Sequence, residues 1–201
     1  MFWRLICLFL ALYVLSTLDA KAQCNSSRYL DSVFTSARTL ENRVYNQAHA
    51  LQGTCAIEAN TSFEAYALDV YEPTGDNIAR RPAIVYAHGG GFLIGNKRMI
   101  PVDQYCYKMA ERGFVVFSID YRLCFNTAST PSIERAVYRS VQDMNAAIRW
   151  VKAKADSFRV DTNLLFAGGN SAGSIMAIFA TYGDEYERID IPSTYNNPDL
   201  G

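Results

Sequence analysis

The stretch best suited to chemistry is Gly169-Asn170-Ser171-Ala172-Gly173, which joins the apolar run Leu164-Leu165-Phe166-Ala167 to the apolar run Ala172 to Ala180. The pattern predicts a strand, a sharp turn and a buried helix, with Ser171 at the apex. Glycines two residues before and two after the serine let the chain turn tightly enough to push a strained Oγ clear of the sheet. A serine hydroxyl is a poor nucleophile at neutral pH, so it needs a base during attack. The tetrahedral oxyanion that follows needs preorganised donors, each worth about 10²–10³ in rate.

A second loop offers such donors. Pro82-Ala83-Ile84-Val85-Tyr86-Ala87 is a continuous apolar run, as a strand buried on both faces requires, and it ends in His88-Gly89-Gly90-Gly91-Phe92. Nucleotide readings of this loop fail on spacing. Gly90 and Gly95 have the gap of a P-loop, but Asn96 stands where lysine should follow, and Ile94 falls where a dinucleotide loop needs its third glycine. What remains is a run of N–H groups that no Cβ shields. Those of Gly90 and Gly91 are expected to face the same space as the Ala172 N–H, which follows the serine at a helix start. No metal or cofactor is implied.

The elements that must position these two loops are legible in order. Tyr29-Leu30, Val33-Phe34 and Ala37 have short helical spacing, and Arg43 to Ala48 reads as a strand. Phe63 to Tyr71 alternates as a strand, with Tyr66, Leu68 and Val70 on one face. Pro101 to Arg112 reads as a helix that Gly113 ends. Phe114 to Ile119 is a further buried strand, running into Asp120-Tyr121-Arg122-Leu123. From Pro131 a long amphipathic helix carries Ile133, Val137, Val141, Met144, Ile148 and Val151. Two leading strands followed by alternating strands and helices predict an α/β fold, a mostly parallel sheet with helices on both faces. The final helix, apolar nearly all round, is expected behind the centre of that sheet.

His88-Gly89-Gly90-Gly91-Phe92, Asp120-Tyr121-Arg122-Leu123 and Gly169-Asn170-Ser171-Ala172-Gly173 together resemble the α/β-hydrolase superfamily, most closely its carboxylesterase and hormone-sensitive-lipase-like branches. The resemblance covers roughly residues 65–180. It implies an ester-hydrolysing serine enzyme with Ser171 as nucleophile and Gly90, Gly91 and Ala172 as oxyanion hole. The substrate would be a small-molecule, lipid or carbohydrate ester. In this superfamily the triad runs Ser, acid, His, yet both histidines of this chain, His49 and His88, precede Ser171. His88 is expected to be structural, its ring bonded to the loop backbone, and His49 an ordinary edge-strand residue. Asp184, Glu185, Glu187 and Asp190 follow the nucleophile helix too soon to serve as the acid. The expectation is therefore the N-terminal part of a longer hydrolase, incomplete at the C-terminal edge of its sheet and inactive alone. The alternatives are a non-catalytic binding domain of the same fold, or a serine peptidase or amidase.

Size and composition agree with one such domain. The chain has 201 residues, half of them hydrophobic, and a formal net charge of −1. That charge gives no reason to expect nucleic acid as a partner. Arg4, the apolar run Leu5 to Leu15 and Ala20-Lys21-Ala22 have the layout of a signal peptide over 1–22, leaving 23–201 as the hydrolase domain. The run is shorter than a membrane span needs, so a secreted or periplasmic location is expected. Cys24, Cys55, Cys106 and Cys124 then favour disulfides, with three pairings open. Proximity in the expected fold favours Cys106–Cys124 and Cys24–Cys55. Asn25-Ser26-Ser27 and Asn60-Thr61-Ser62 are sequons.

Overall fold

A computed structural model describes residues 27–52, 55, 61–128 and 130–183. Residues 1–22, expected to be a signal peptide, together with Cys24, Asn25, Asn60 and the acidic residues after Gly183, lie outside them. Nine elements follow in order: β1 (Thr35–Leu51), β2 (Thr61–Thr74), β3 (Arg81–Ala87), α1 (Ile100–Glu111), β4 (Val115–Ile119), α2 (Thr130–Ala153), a 3₁₀ turn (Ala155–Phe158), β5 (Val160–Gly169) and α3 (Ala172–Tyr182).

The strands form one sheet in the order β1-β2-β4-β3-β5. β3 runs parallel to β4 and to β5, whereas β2 is antiparallel to both β1 and β4. The sheet is therefore mixed, its parallel half carrying the two loops of interest. All seven residues of β3 and all five of β4 are buried, because helices cover both faces. On one face Cys106 and Ala110 of α1 pack with Tyr71, Ile84, Tyr86 and Val116. On the other, Met144 and Val151 of α2 and Met176 of α3 pack with Leu68, Val70, Val85, Phe117 and Ile119. Neighbouring strand residues thus serve opposite layers, as the period of two demands.

Two expectations are corrected. Residues 29–37 are not helical: a turn leads into β1, which begins at Thr35 and extends to Leu51. Pairing with β2 over almost its whole length overrides the short helical spacing. The expected apolar stripe of α2 does face the core: Met144 and Val151 are fully buried and Val137 and Ile148 pack against the same core, with Ala136, Ser140, Asp143 and Ala147 also buried and Ile133 exposed at the helix start. Finally, α3 does not sit behind the sheet centre. β5 is an edge strand among the described residues, so Ile175, Ile178, Phe179 and Tyr182 of α3 remain exposed alongside Leu164 and Phe166 of β5. No helix among the described residues is long and apolar enough to cross a membrane.

Candidate active site

Because β3, β4 and β5 are parallel, their C-terminal ends share one edge of the sheet. The turn after β5 brings Ser171 there with φ 50° and ψ −116°. A non-glycine residue in that region is strained and persists only where its surroundings hold it. The surroundings here are backbone. A Cβ added to Gly169 would lie 2.4 Å from the Gly173 carbonyl carbon, and one on Gly173 would lie 2.2 Å from the Ala87 oxygen. The two glycines are therefore required by close approach: the start of α3 is pressed against the end of β3. Ser174 Oγ donates to the Gly169 carbonyl at 2.9 Å and closes the turn. Ser171 itself is exposed, while Ala172 is buried.

The glycine loop after β3 meets this turn directly. A Cβ on Gly89 would lie 2.9 Å from the Asn170 amide nitrogen, so the residue before the serine packs against the loop. Gly90, Gly91 and Phe92 all have positive φ, at 116°, 62° and 60°. The Leu93 and Ile94 N–H groups then return to the Gly90 carbonyl, each at 3.1 Å. The loop is a tight left-handed turn, and Gly90 cannot be replaced, since an added Cβ would lie 1.8 Å from the Ile94 oxygen.

The segment after β4 fixes the loop. Asp120 accepts from the Lys97 N–H at 2.8 Å and from Lys97 Nζ at 2.5 Å. Tyr121 Oη donates to the His88 carbonyl at 2.8 Å, and its ring stacks on the His88 imidazole at 4.4 Å. Arg122 turns the other way and pairs with buried Asp143 of α2 at 3.0 Å, where Asn46 Nδ2 also donates to the carboxylate at 2.7 Å. The Cys124 N–H donates to the Phe92 carbonyl at 2.7 Å. Asp120, Tyr121 and Cys124 thus anchor the loop, while Arg122 anchors the helix layer. At the sequence level this tetrapeptide served only as a mark of resemblance. The signal that could have revealed its role is a run of polar side chains directly after a fully buried strand.

Neither histidine is placed as a base. His88 is fully buried, and its Nδ1–H donates to the Gly89 carbonyl at 2.6 Å. Its Nε2 has no hydrogen-bond partner among the described residues. Burial pushes this imidazole below its ordinary pKa, against the raising effect of the Gly89 carbonyl. His49 lies on β1, at the sheet edge opposite β5, with Thr61 Oγ1 3.3 Å from its Nδ1 and the Phe63 ring against its edge. Four strand spacings of ~4.8 Å separate the two edges, roughly 19 Å.

The expected cysteine pairing is also corrected: Cys55 is bonded to Cys124. β2 is antiparallel to β4, so the β1–β2 connection lies at the sheet end where β4 finishes, beside Cys124. Cys106 faces inward from α1 as a free thiol, and burial pushes its pKa up to about 12. Between the β1–β2 end and the glycine loop lies a cleft of about 420 Å³, lined in part by Glu64, Tyr66, His88, Asp120 and Tyr121.

With this geometry in view, the family model described as BD-FAE matches residues 68–199. The chain belongs to the BD-FAE family. It is similar to carboxylesterase 3B of Mus musculus, 34% identical over 57% of this chain and 20% of that protein. It is also similar to esterase LipC of Mycobacterium tuberculosis, 28% identical over 64% of this chain and 30% of that protein. Among solved structures, a thermophilic esterase from Thermogutta terrifontis matches with a TM-score of 0.51 and 29% identity, over 69% of this chain and 42% of that one. The same organism's esterase 2, phosphorylated by paraoxon, matches at 0.52 and 27%, over 76% and 49%. The fold of this BD-FAE chain is thus a partial α/β-hydrolase fold of the carboxylesterase-like kind. The chain spans about a fifth to a third of the length of the curated relatives it matches.

Proposed function

We infer that this chain carries the nucleophile and oxyanion donors of an exported serine carboxylic-ester hydrolase. Ser171 Oγ attacks the ester carbonyl carbon as its proton passes to a base. The Gly90, Gly91 and Ala172 N–H groups hold the resulting oxyanion. Collapse expels the alcohol and leaves an acyl-serine, which water hydrolyses to the carboxylic acid. The observation that carries this reading is the strained, exposed Ser171 on a turn whose glycines are locked against the loop strand. Esterase names among the relatives support it. A binding module would gain nothing from such strain.

The base and the acid are assigned to chain beyond these 201 residues. Without the histidine, turnover falls by on the order of 10⁶, leaving about 10³–10⁴ over water. The 201-residue chain should therefore react with paraoxon or a fluorophosphonate slowly and incompletely at Ser171, as read by intact mass. A product of the same gene that extends through a downstream histidine should label rapidly and hydrolyse p-nitrophenyl esters, and its Ser171→Ala variant should do neither. Rapid stoichiometric labelling of the 201-residue chain would overturn the inactivity, and an inert extended chain would favour the binding-domain reading.

A further inference from the structure

Cys124 is in a conformation that its side chain does not favour. Its φ is +97°, in the region that glycine enters freely and other residues rarely adopt. Three separate attachments meet at this residue. Its N–H donates to the Phe92 carbonyl at 2.7 Å, its carbonyl accepts from Arg139 Nη2 of α2 at 3.0 Å, and its sulfur is bonded to Cys55 in the β1–β2 connection. The φ bond lies between the N–H and the carbonyl, so the two hydrogen bonds can be kept together only near the observed φ. Relaxation toward negative φ would swing one group away from its partner. Phe92 is in turn the third of three consecutive positive-φ residues, following Gly90 and Gly91. Its carbonyl is therefore a direct handle on the loop that presents those N–H groups.

We propose that the Cys55–Cys124 disulfide is a positioning element for the glycine loop: it holds Cys124 in the left-handed conformation that clamps Phe92 from one side and α2 from the other. A glycine at 124 would adopt this φ without help. The cysteine does so because the bond to Cys55 supplies the constraint. Cys124 touches no reacting atom, and its role is exerted through Phe92. The relevance to an oxyanion hole rests on the functional reading above, whereas the clamp itself does not.

The test separates this role from ordinary cross-linking. Backbone amide exchange is measured with residue resolution at Leu93, Ile94 and position 124 in the oxidised protein, in Cys55→Ser, and in the double variant Cys55→Ser/Cys124→Gly. Release of the strained residue should speed exchange at all three amides by about tenfold or more in Cys55→Ser, the factor that relief of one strained non-glycine φ corresponds to. Val116 and Phe117 in β4 should keep their protection. The double variant, with no disulfide but no strain at 124, should return to within about threefold of the oxidised protein. If Cys55→Ser fails to fold, folding of the double variant alone is the supporting result. The proposal is overturned if Cys55→Ser exchanges like the oxidised protein, if the double variant exchanges as fast as Cys55→Ser, or if both variants fail to fold. Exchange is read without substrate, so the outcome is independent of whether Ser171 attacks an ester.

Discussion

Gly173→Ala tests the contact that presses the start of α3 onto the end of β3. The new Cβ would lie 2.2 Å from the Ala87 oxygen, 2.7 Å from its carbonyl carbon and 2.9 Å from the His88 oxygen. Ordinary contact begins at 3.4 Å, so α3 and the end of β3 must separate by roughly 1 Å, given the cost of overpacking. No flexible side chain can absorb the shift, because all three atoms are backbone, two of them in Ala87 at the end of a strand paired on both sides. Overpacking of this kind costs about 1–3 kcal/mol and sometimes more, while alanine in a helix returns about 0.8–1 kcal/mol relative to glycine only in an unstrained interior. A net loss of about 2–3 kcal/mol is expected, which lowers Tm by roughly 4–12 °C for a domain of this size. Gly75→Ala is the control. Its φ is +78° with nothing within 4 Å of the added carbon, so only about 1 kcal/mol of left-handed strain applies. Thermal melts by circular dichroism compare the two. In a chain that can label Ser171, the displacement should also slow phosphonylation by about 10²-fold. If Gly173→Ala melts within about 2 °C of the parent, below what even 1 kcal/mol should produce, the elbow is not pressed onto β3 and the argument for the site fails.

Three further expectations follow from the same contacts. Tyr121→Phe keeps the ring against His88 but removes the donor to a buried carbonyl, so chemical denaturation should show a loss of about 1–3 kcal/mol; no loss would mean that another donor replaces it. For Asp76, burial acts to raise the carboxyl pKa, but the Arg28 hydrogen bonds, the Ile78 N–H and the charge of Arg28 outweigh it, and the native value is lowered. That stability is present above the unfolded pKa of ~3.9 and is lost as pH falls through the lower native value. Asp76→Asn should flatten the acid limb of the stability–pH curve, and an unchanged limb would refute the assignment. Phe166→Lys and Ile178→Lys alter residues about half exposed on β5 and α3. Each should change stability by less than about 0.5 kcal/mol while reducing self-association in light scattering, whereas a loss above about 1.5 kcal/mol would show that these side chains are packed.

Much of the site is local, and local features are legible. Gly169-Asn170-Ser171-Ala172-Gly173 announces its own turn, since small residues at fixed offsets are what a tight strand-to-helix turn needs. The unbroken apolar run ending in His88-Gly89-Gly90-Gly91 likewise identifies a buried strand with a glycine loop at its end. β1 was less legible because its polar, mixed residues pair along a long hairpin with β2, and pairing of that kind leaves only a weak pattern in either strand alone. The position of α3 beside β5 was hidden for a related reason. An apolar helix reads the same in sequence whether it lies behind the sheet centre or beside an edge strand.

Residue order by itself determined the nucleophile candidate, the glycine-rich donors, the alternation of strands and helices, and the lack of a histidine after Ser171. These depend on which residue types stand next to one another along the chain. Only the tertiary structure decided that Gly89 touches Asn170, that Cys55 pairs with Cys124 while Cys106 stays free, and that Asp120, Tyr121 and Cys124 brace the loop. Each of those contacts joins segments far apart in sequence. They are set by strand order and direction, in particular by an antiparallel β2 beside β4 that carries the β1–β2 connection to the edge of the sheet where β3, β4 and β5 end.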